Sequence, residues 1–212
     1  MQQIVPQRGR LFVVSAPSGA GKTSLVNALR AQRPDLGVSI SHTTRPPRPT
    51  EQEGREYYFV SPERFRALLA EGAFLEHARV FDNYYGTGKA QLNATLDAGR
   101  DIILEIDWQG ARQVRAAQPE ATSIFILPPS RAELERRLRA RATDSDAVIA
   151  RRLRDAAADM GHCGEFDYAV VNDRFEQALA ELGRILGGDA EALRANRPGL
   201  APLLRELTAP VA

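Results

Sequence analysis

The sequence predicts an α/β fold, a doubly wound three-layer sandwich with a parallel central sheet. Two observations carry that prediction. Short apolar runs rich in Val and Ile stand at 10–15, 101–106, 123–127 and 168–172, and each is followed by a helical pattern, at 22–33, 108–118, 131–142 and 175–186. Apolar runs without polar alternation describe strands covered on both faces, the condition of a parallel sheet whose crossovers are helices.

The first run leads into Ser15-Ala16-Pro17-Ser18-Gly19-Ala20-Gly21-Lys22-Thr23-Ser24 and then a helical pattern. In that context, Gly19 and Gly21-Lys22-Thr23 fit the phosphate-loop pattern G-x-x-x-x-G-K-[ST]. Its glycines let consecutive N–H groups wrap a phosphate, its lysine neutralises the transferred charge and its hydroxyl serves Mg²⁺. Ala16 stands where the pattern asks for glycine, a substitution that costs little at negative φ. An ordinary strand-to-helix turn is the competing reading, and the ordered match disfavours it. The loop alone does not name the acceptor of the phosphate.

The segment 39–85 breaks the strand–helix rhythm. Pro46, Pro47 and Pro49 exclude helix, and "EYYFV" reads as strand, so the segment is expected to form a small inserted lobe. Arg45 and Arg48 lie three apart on its proline-stiffened loop, and planar guanidinium forks suit phosphate. Tyr57, Tyr85 and Thr87 supply hydroxyls nearby in sequence, and Glu76 lies in the otherwise apolar "FLEHARV". As bland alternatives, the tyrosines are strand aromatics, the arginines a solvated loop, and His42 and His77 packing or surface residues.

Glu105 and Asp107 end the second run, two residues apart and so on one side of a strand, at the edge where α/β sheets bind ligands. Asn172 ends the last run. Residues 137–154 are rich in arginine, with a polar hinge at Thr143-Asp144-Ser145-Asp146, and read as a mobile flap. Arg137, Arg141, Arg151 and Arg152 are its candidate phosphate cations. Arg136, Arg139 and Arg154 are read as a solvated face paired with Glu133, Glu135, Asp144 and Asp146. After Gly187-Gly188, the Ala/Leu/Arg-rich residues 189–212 receive no role.

Composition narrows the setting. The 212 residues suit one filled core, and a net charge of +1 offers no bulk attraction for nucleic acid or an anionic membrane. No segment approaches the roughly 20 apolar residues that span a bilayer, and "MQQIVPQRGR" lacks a secretory apolar stretch, so a cytoplasmic protein is expected. One cysteine, Cys163, and three scattered histidines offer neither a disulfide nor a metal cluster.

Five stretches, in order, make the sequence similar to one family: "SAPSGAGKTSL", "SHTTRPPRPTEQEGREYYFVS", "GAFLEHARVFDNYYGT", "ILEIDWQGARQV" and "FDYAVVND". Together they resemble guanylate kinase up to about residue 186. The resemblance implies a three-layer P-loop kinase fold in one domain at 1–188. An inserted GMP-binding lobe falls at about 39–88, an arginine-bearing lid at about 137–160, and 189–212 forms an extension. It implies phosphorylation of GMP, and of dGMP, by ATP with Mg²⁺, giving GDP and ADP within purine metabolism and GMP recycling. ATP and GMP are then the partners, with no nucleic acid or membrane, and homo-oligomer formation is left open.

Carried over residue by residue, the resemblance puts Ala16, Pro17, Ser18, Gly19, Ala20, Gly21, Lys22, Thr23 and Ser24 on the ATP phosphates, with Thr23 toward Mg²⁺ and Asn172 on the adenine side. Ser41 and Glu76 would read guanine, Arg45, Arg48, Tyr57 and Tyr85 would hold the GMP phosphate, and Thr87 would help close the pocket. Glu105 falls near GMP and Asp107 near the metal–phosphate region, both within the GMP set, while Lys22, Arg48, Arg141 and Arg152 form the catalytic set. Guanine presents N1–H and an exocyclic amine side by side to one carboxylate, whereas adenine would present a lone pair, so Glu76 is expected to discriminate. The alternative is an inactive guanylate-kinase-like interaction module, disfavoured by the intact Gly21-Lys22-Thr23.

Overall fold

The computed structural model of the chain describes residues 7–80, 82–140 and 145–209. Its elements in chain order are β1 (Leu11–Ser15), α1 (Lys22–Gln32), β2 (Gly37–Val38), β3 (Ser41–Thr43), β4 (Tyr57–Phe59), α2 (Pro62–Ala70), β5 (Phe74–Val80), β6 (Asn83–Gly88), α3 (Lys89–Asp97), β7 (Ile102–Glu105), α4 (Trp108–Ala117), β8 (Thr122–Leu127), α5 (Arg131–Arg139), α6 (Asp146–Met160), β9 (Tyr168–Val171), α7 (Phe175–Gly187) and α8 (Ala201–Thr208). Five strands form one sheet in the order β2-β7-β1-β8-β9, and the pairs β2–β7 and β8–β9 are parallel. Leu11 to Val14, Ile102 to Leu104 and Ile124 to Leu127 are all buried, which is why their sequences show no alternation. The two-residue β2 was too short to leave an apolar run.

The chain divides into two compact units, one holding the chain to Val13 with Pro34–Thr122, the other Val14–Arg33 with Ser123–Ala212. The first unit contains a second sheet, ordered β4-β3-β6-β5, in which β6 pairs antiparallel with both β3 and β5. Helix α4 packs on β5, and α3 on β6 and β7. Helix α2 starts where Ser61 accepts a hydrogen bond from the Arg64 N–H and Pro62 takes the first helical position. Phe65 is its buried anchor, stacked on Phe74 and Tyr84.

In the second unit α1 packs on α7, and α6 on α5 and α8. Helix α7 buries Ala178, Leu179, Leu182, Ile185 and Leu186, a stripe at helical spacing, and stops at Gly188 in the left-handed region. Residues beyond Gly188 belong to the packed interior: Ala190, Leu193, Ala195, Leu200 and Leu207 are buried. Arg197 Nη1 donates to the carbonyls of Ala169, Leu193 and Arg194 at 2.9–3.0 Å, and Arg131 donates to the Ala209 carbonyl. The interruptions by proline had hidden this; Pro198 and Pro202 sit at helical first turns, where no N–H is needed.

Candidate active site

In the second unit the phosphate loop runs from Ala16 to Gly21 and opens α1 at Lys22. Gly19 and Gly21 both hold φ at +93°, a region that penalises any Cβ, and the Ala20 N–H closes a turn onto the Pro17 carbonyl at 3.2 Å. At Gly21 a Cβ would also collide with the Asn172 amide. The Asn172 Nδ2 donates to the Ala20 carbonyl at 2.8 Å, and its own N–H binds the Leu127 carbonyl. Asn172, 5% exposed, thus braces the loop from the end of β9. Lys22 is half-buried; Thr23 and Ser24 are exposed on the first turn of α1.

Arg137, expected among the phosphate cations, is instead a further brace of the loop. Arg137 on α5 donates to the Asn172 carbonyl at 2.9 Å and reaches the Ala20 carbonyl at 3.5 Å, while Glu133 one turn earlier holds its Nε at 2.7 Å. Glu133 also takes Arg136, and the two arginines together hold its carboxyl down at about 2. The Glu133–Arg137 spacing of four was visible, but it reads equally as a surface pair. Arg136 and Arg139 do pair on the surface, Arg139 with Glu135 and Asp146. Arg152 is half-buried on α6 and Arg151 is exposed beside Asp155. Arg141 and Ala142, together with Thr143 and Asp144 of the expected hinge, lie outside the described residues; Ser145 immediately precedes α6, which starts at Asp146.

In the first unit Glu76 and Thr87 pair across β5 and β6, beside an irregularity in the register. Glu76 is 2% exposed, Thr87 is fully buried, and the Thr87 hydroxyl donates to Glu76 Oε1 at 2.6 Å. Ser41 Oγ on β3 stands 3.4 Å from Thr87 Oγ1. Three residues widely separated in sequence therefore meet as one row of polar side chains across three strands. His42 next to Ser41 packs against the rings of Tyr58 and Phe74, and burial lowers its pKa below the ordinary histidine value.

Arg45, Tyr57 and Tyr85 form a neighbouring group. Arg45 lies over the Tyr57 ring at 5.5 Å, and the two tyrosine rings meet edge-on at 5.9 Å. Burial raises the Tyr57 pKa, and Tyr85 and Glu105 raise it further, so its hydroxyl stays a proton donor. The residue absent from the sequence reading is Glu51. Both its carboxylate oxygens accept from Arg45 Nη2 at 2.8 Å, it takes the Arg48 N–H at 2.8 Å, and it faces the Arg48 guanidinium at 3.7 Å. Burial pushes the Glu51 pKa up, but the Arg48 N–H and the Arg45 guanidinium outweigh it and hold the carboxyl below the ordinary range. Its position three after Arg48 was the available signal, masked by the acidic run around it.

Asp107 caps α4, accepting from the Gly110 N–H at 2.9 Å and from Gln109 Nε2 at 3.0 Å. Glu105 ends β7 half-buried, on the Tyr57 side of the unit. Cys163 is buried, with its thiol pushed up to about 12 by burial, and His162 pairs with Glu165 at 2.7 Å. Among the described residues no group of three or more His, Cys, Asp and Glu could hold a metal ion, and no helix is long and apolar enough to cross a membrane.

A glycine-bent loop opening a helix at a lysine, with a separate lobe of arginines, tyrosines and a buried carboxylate, has the parts of a phosphate-loop kinase. The family model described as guanylate kinase matches residues 8–188. The chain is 56% identical over 199 residues to the guanylate kinase of Alkalilimnicola ehrlichii, covering 94% of this chain and 98% of that protein. It is 55% identical over 200 residues to the guanylate kinase of Methylococcus capsulatus, with the same shares covered. The crystal structure of guanylate kinase from Anaplasma phagocytophilum aligns with a TM-score of 0.73 at 34% identity, covering 95% of this chain and 96% of that one. The chain belongs to the guanylate kinase family.

Proposed function

We propose that the chain transfers the γ-phosphoryl group of ATP to the phosphate of GMP, releasing ADP and GDP, in the cytoplasm. The observation that carries the choice of acceptor is the buried Glu76 carboxylate, held by Thr87 with Ser41 alongside. A carboxylate accepts the adjacent N1–H and N2–H of guanine together, and a site built for such donors rejects bases that lack them. No observation favours an inactive interaction module: Lys22 and the loop glycines are in place.

On this reading Arg45, Arg48, Tyr57 and Tyr85 hold the GMP phosphate, with Glu51 fixing the fork of Arg45. Two guanidinium groups and two phenol hydroxyls neutralise and orient the attacking phosphate without removing its oxygen nucleophile. The loop N–H groups and the α1 N-terminus hold the ATP β-phosphate, and Lys22 follows the γ-phosphoryl group. Asn172 and Arg137 act on ATP through the loop they brace. A GMP phosphate oxygen bonds to the γ-phosphorus as the β–γ bridging bond breaks and its electron pair leaves with ADP. Positioning and charge neutralisation suffice, so no general base is assigned. Arg141 and Arg152 from the lid neutralise the charge that spreads over the transferring group and help exclude water.

Mg²⁺ suits this loop: Thr23 offers a hydroxyl oxygen beside backbone that only glycine can form, and the ion would neutralise ATP phosphate oxygens there. The test is ADP release with ATP and Mg²⁺ and GMP, AMP, CMP or UMP as acceptor. Turnover confined to GMP is expected; no GMP-dependent turnover, or preference for another base, overturns the proposal.

A further inference from the structure

Helix α4 carries a glycine, Gly110, in its first turn, where alanine would favour the helix by about 1 kcal/mol. The surroundings supply the reason for it. A Cβ built on Gly110 falls well inside 3.0 Å of Glu76 Oε2, a separation that real Cβ atoms essentially never show, and 3.1 Å from Glu76 Cδ. The Glu76 carboxylate therefore rests on the bare backbone of α4, while its other oxygen takes the Thr87 hydroxyl from β6.

One turn further along the same helix, Gln113 reaches the strand that bears Glu76. Its Oε1 accepts from the His77 N–H at 3.1 Å and its Nε2 donates to the His77 carbonyl at 2.7 Å. Strand β5 is the edge of its sheet, so this one amide supplies the pairing a further strand would have given. The residue it clamps is the immediate neighbour of Glu76. Side chain and backbone of the same short stretch are thus both fixed by α4, whose start is set by the Asp107 cap onto the Gly110 N–H.

We infer that Gly110 and Gln113 are positioning residues for guanine recognition: α4 sets the Glu76 carboxylate in place, Gly110 by leaving room for it and Gln113 by pinning the β5 backbone beside it. The inference rests on the reading of Glu76 as the base-reading group. Neither residue touches the nucleotide; both act through Glu76. Because the atom displaced by a Cβ at Gly110 is the far end of the Glu76 side chain rather than backbone, Gly110→Ala moves the carboxylate, and the helix propensity gained offsets the cost of that shift, so specificity falls while stability is held.

The test is a double-mutant cycle between Gly110→Ala and Glu76→Ala, reading GMP affinity by titration calorimetry, kcat/KM for GMP and for IMP, the ATP KM and the melting temperature. IMP lacks the exocyclic amine. In the otherwise unaltered chain, Gly110→Ala should lower GMP affinity and kcat/KM about tenfold or more and narrow the GMP-over-IMP preference, with ATP KM and melting temperature held. In the Glu76→Ala background the same change should alter GMP affinity less than about twofold, since the displaced group is gone. Gln113→Leu should also narrow the GMP-over-IMP preference, with some loss of melting temperature. Unchanged GMP affinity in Gly110→Ala, or an equal loss in both backgrounds, overturns the inference and leaves the Glu76 reading standing if Glu76→Ala alone impairs GMP binding. If Glu76→Ala leaves GMP binding intact, both fall.

Discussion

Replacing Glu76 by glutamine keeps the side chain's shape and changes what it can offer. Glu76 is 2% exposed and one oxygen accepts the Thr87 hydroxyl at 2.6 Å. In Glu76→Gln the amide oxygen retains the Thr87 proton, and the NH₂ then faces the base, where guanine presents donors of its own. Two hydrogen bonds to a charged acceptor, each about 1.5–3 kcal/mol, are lost, and a buried donor is left unpaired. Even the low end, about 3 kcal/mol, corresponds to a fall of about 10²-fold in kcat/KM for GMP. AMP should lose much less, so the preference narrows. Steady-state kinetics with both nucleotides, alongside a melting curve, measure this. A fall of less than about threefold in a normally folded variant refutes the role given to Glu76.

The remaining predictions address the other unit. Lys22→Ala should abolish turnover, a loss of about 10³-fold or more, at unchanged melting temperature; measurable GMP phosphorylation near the original rate counts against the loop's role. Arg141→Ala and Arg152→Ala should each lower kcat by about 10²-fold, and normal turnover with a lowered melting temperature would make them structural instead. Arg197→Ala removes a donor shared by three carbonyls and should cost about 1.5–3 kcal/mol in denaturant unfolding, with no effect expected if residues past Gly188 were dispensable. With its pKa raised to about 12 by burial, Cys163 should resist iodoacetamide in the folded protein at pH 8 and react fully in guanidinium; rapid native alkylation contradicts that burial.

The fold was legible where residues face one kind of surroundings along a whole element. Leu11 to Val14 and Ile124 to Leu127 are apolar throughout because they are buried throughout, and they announced the central sheet. The strands β5 and β6 were harder, since alternating burial and residues such as Glu76 and Thr87 in the buried positions blur the period. For the candidate site, residue types that suit phosphate or guanine were visible because chemistry restricts them. Glu51 and Gln113 were not: each acts on another protein group rather than on a ligand, and a carboxylate among carboxylates or a glutamine on a helix face carries no such mark. Arg137 was visible as a cation suited to phosphate, while its hold on the Ala20 and Asn172 carbonyls was not. Gly110 is the intermediate case. Glycine inside a helical pattern signals a close approach, but only the folded chain names Glu76 as the group approaching.

Following the labelled γ-phosphorus of ATP to its product tests the central claim most directly. With GMP and Mg²⁺ present, the label should appear in GDP, one for each ADP formed, and the transfer should vanish when GMP is omitted. Label recovered as inorganic phosphate, or ADP formed at the same rate without GMP, would contradict phosphoryl transfer to GMP.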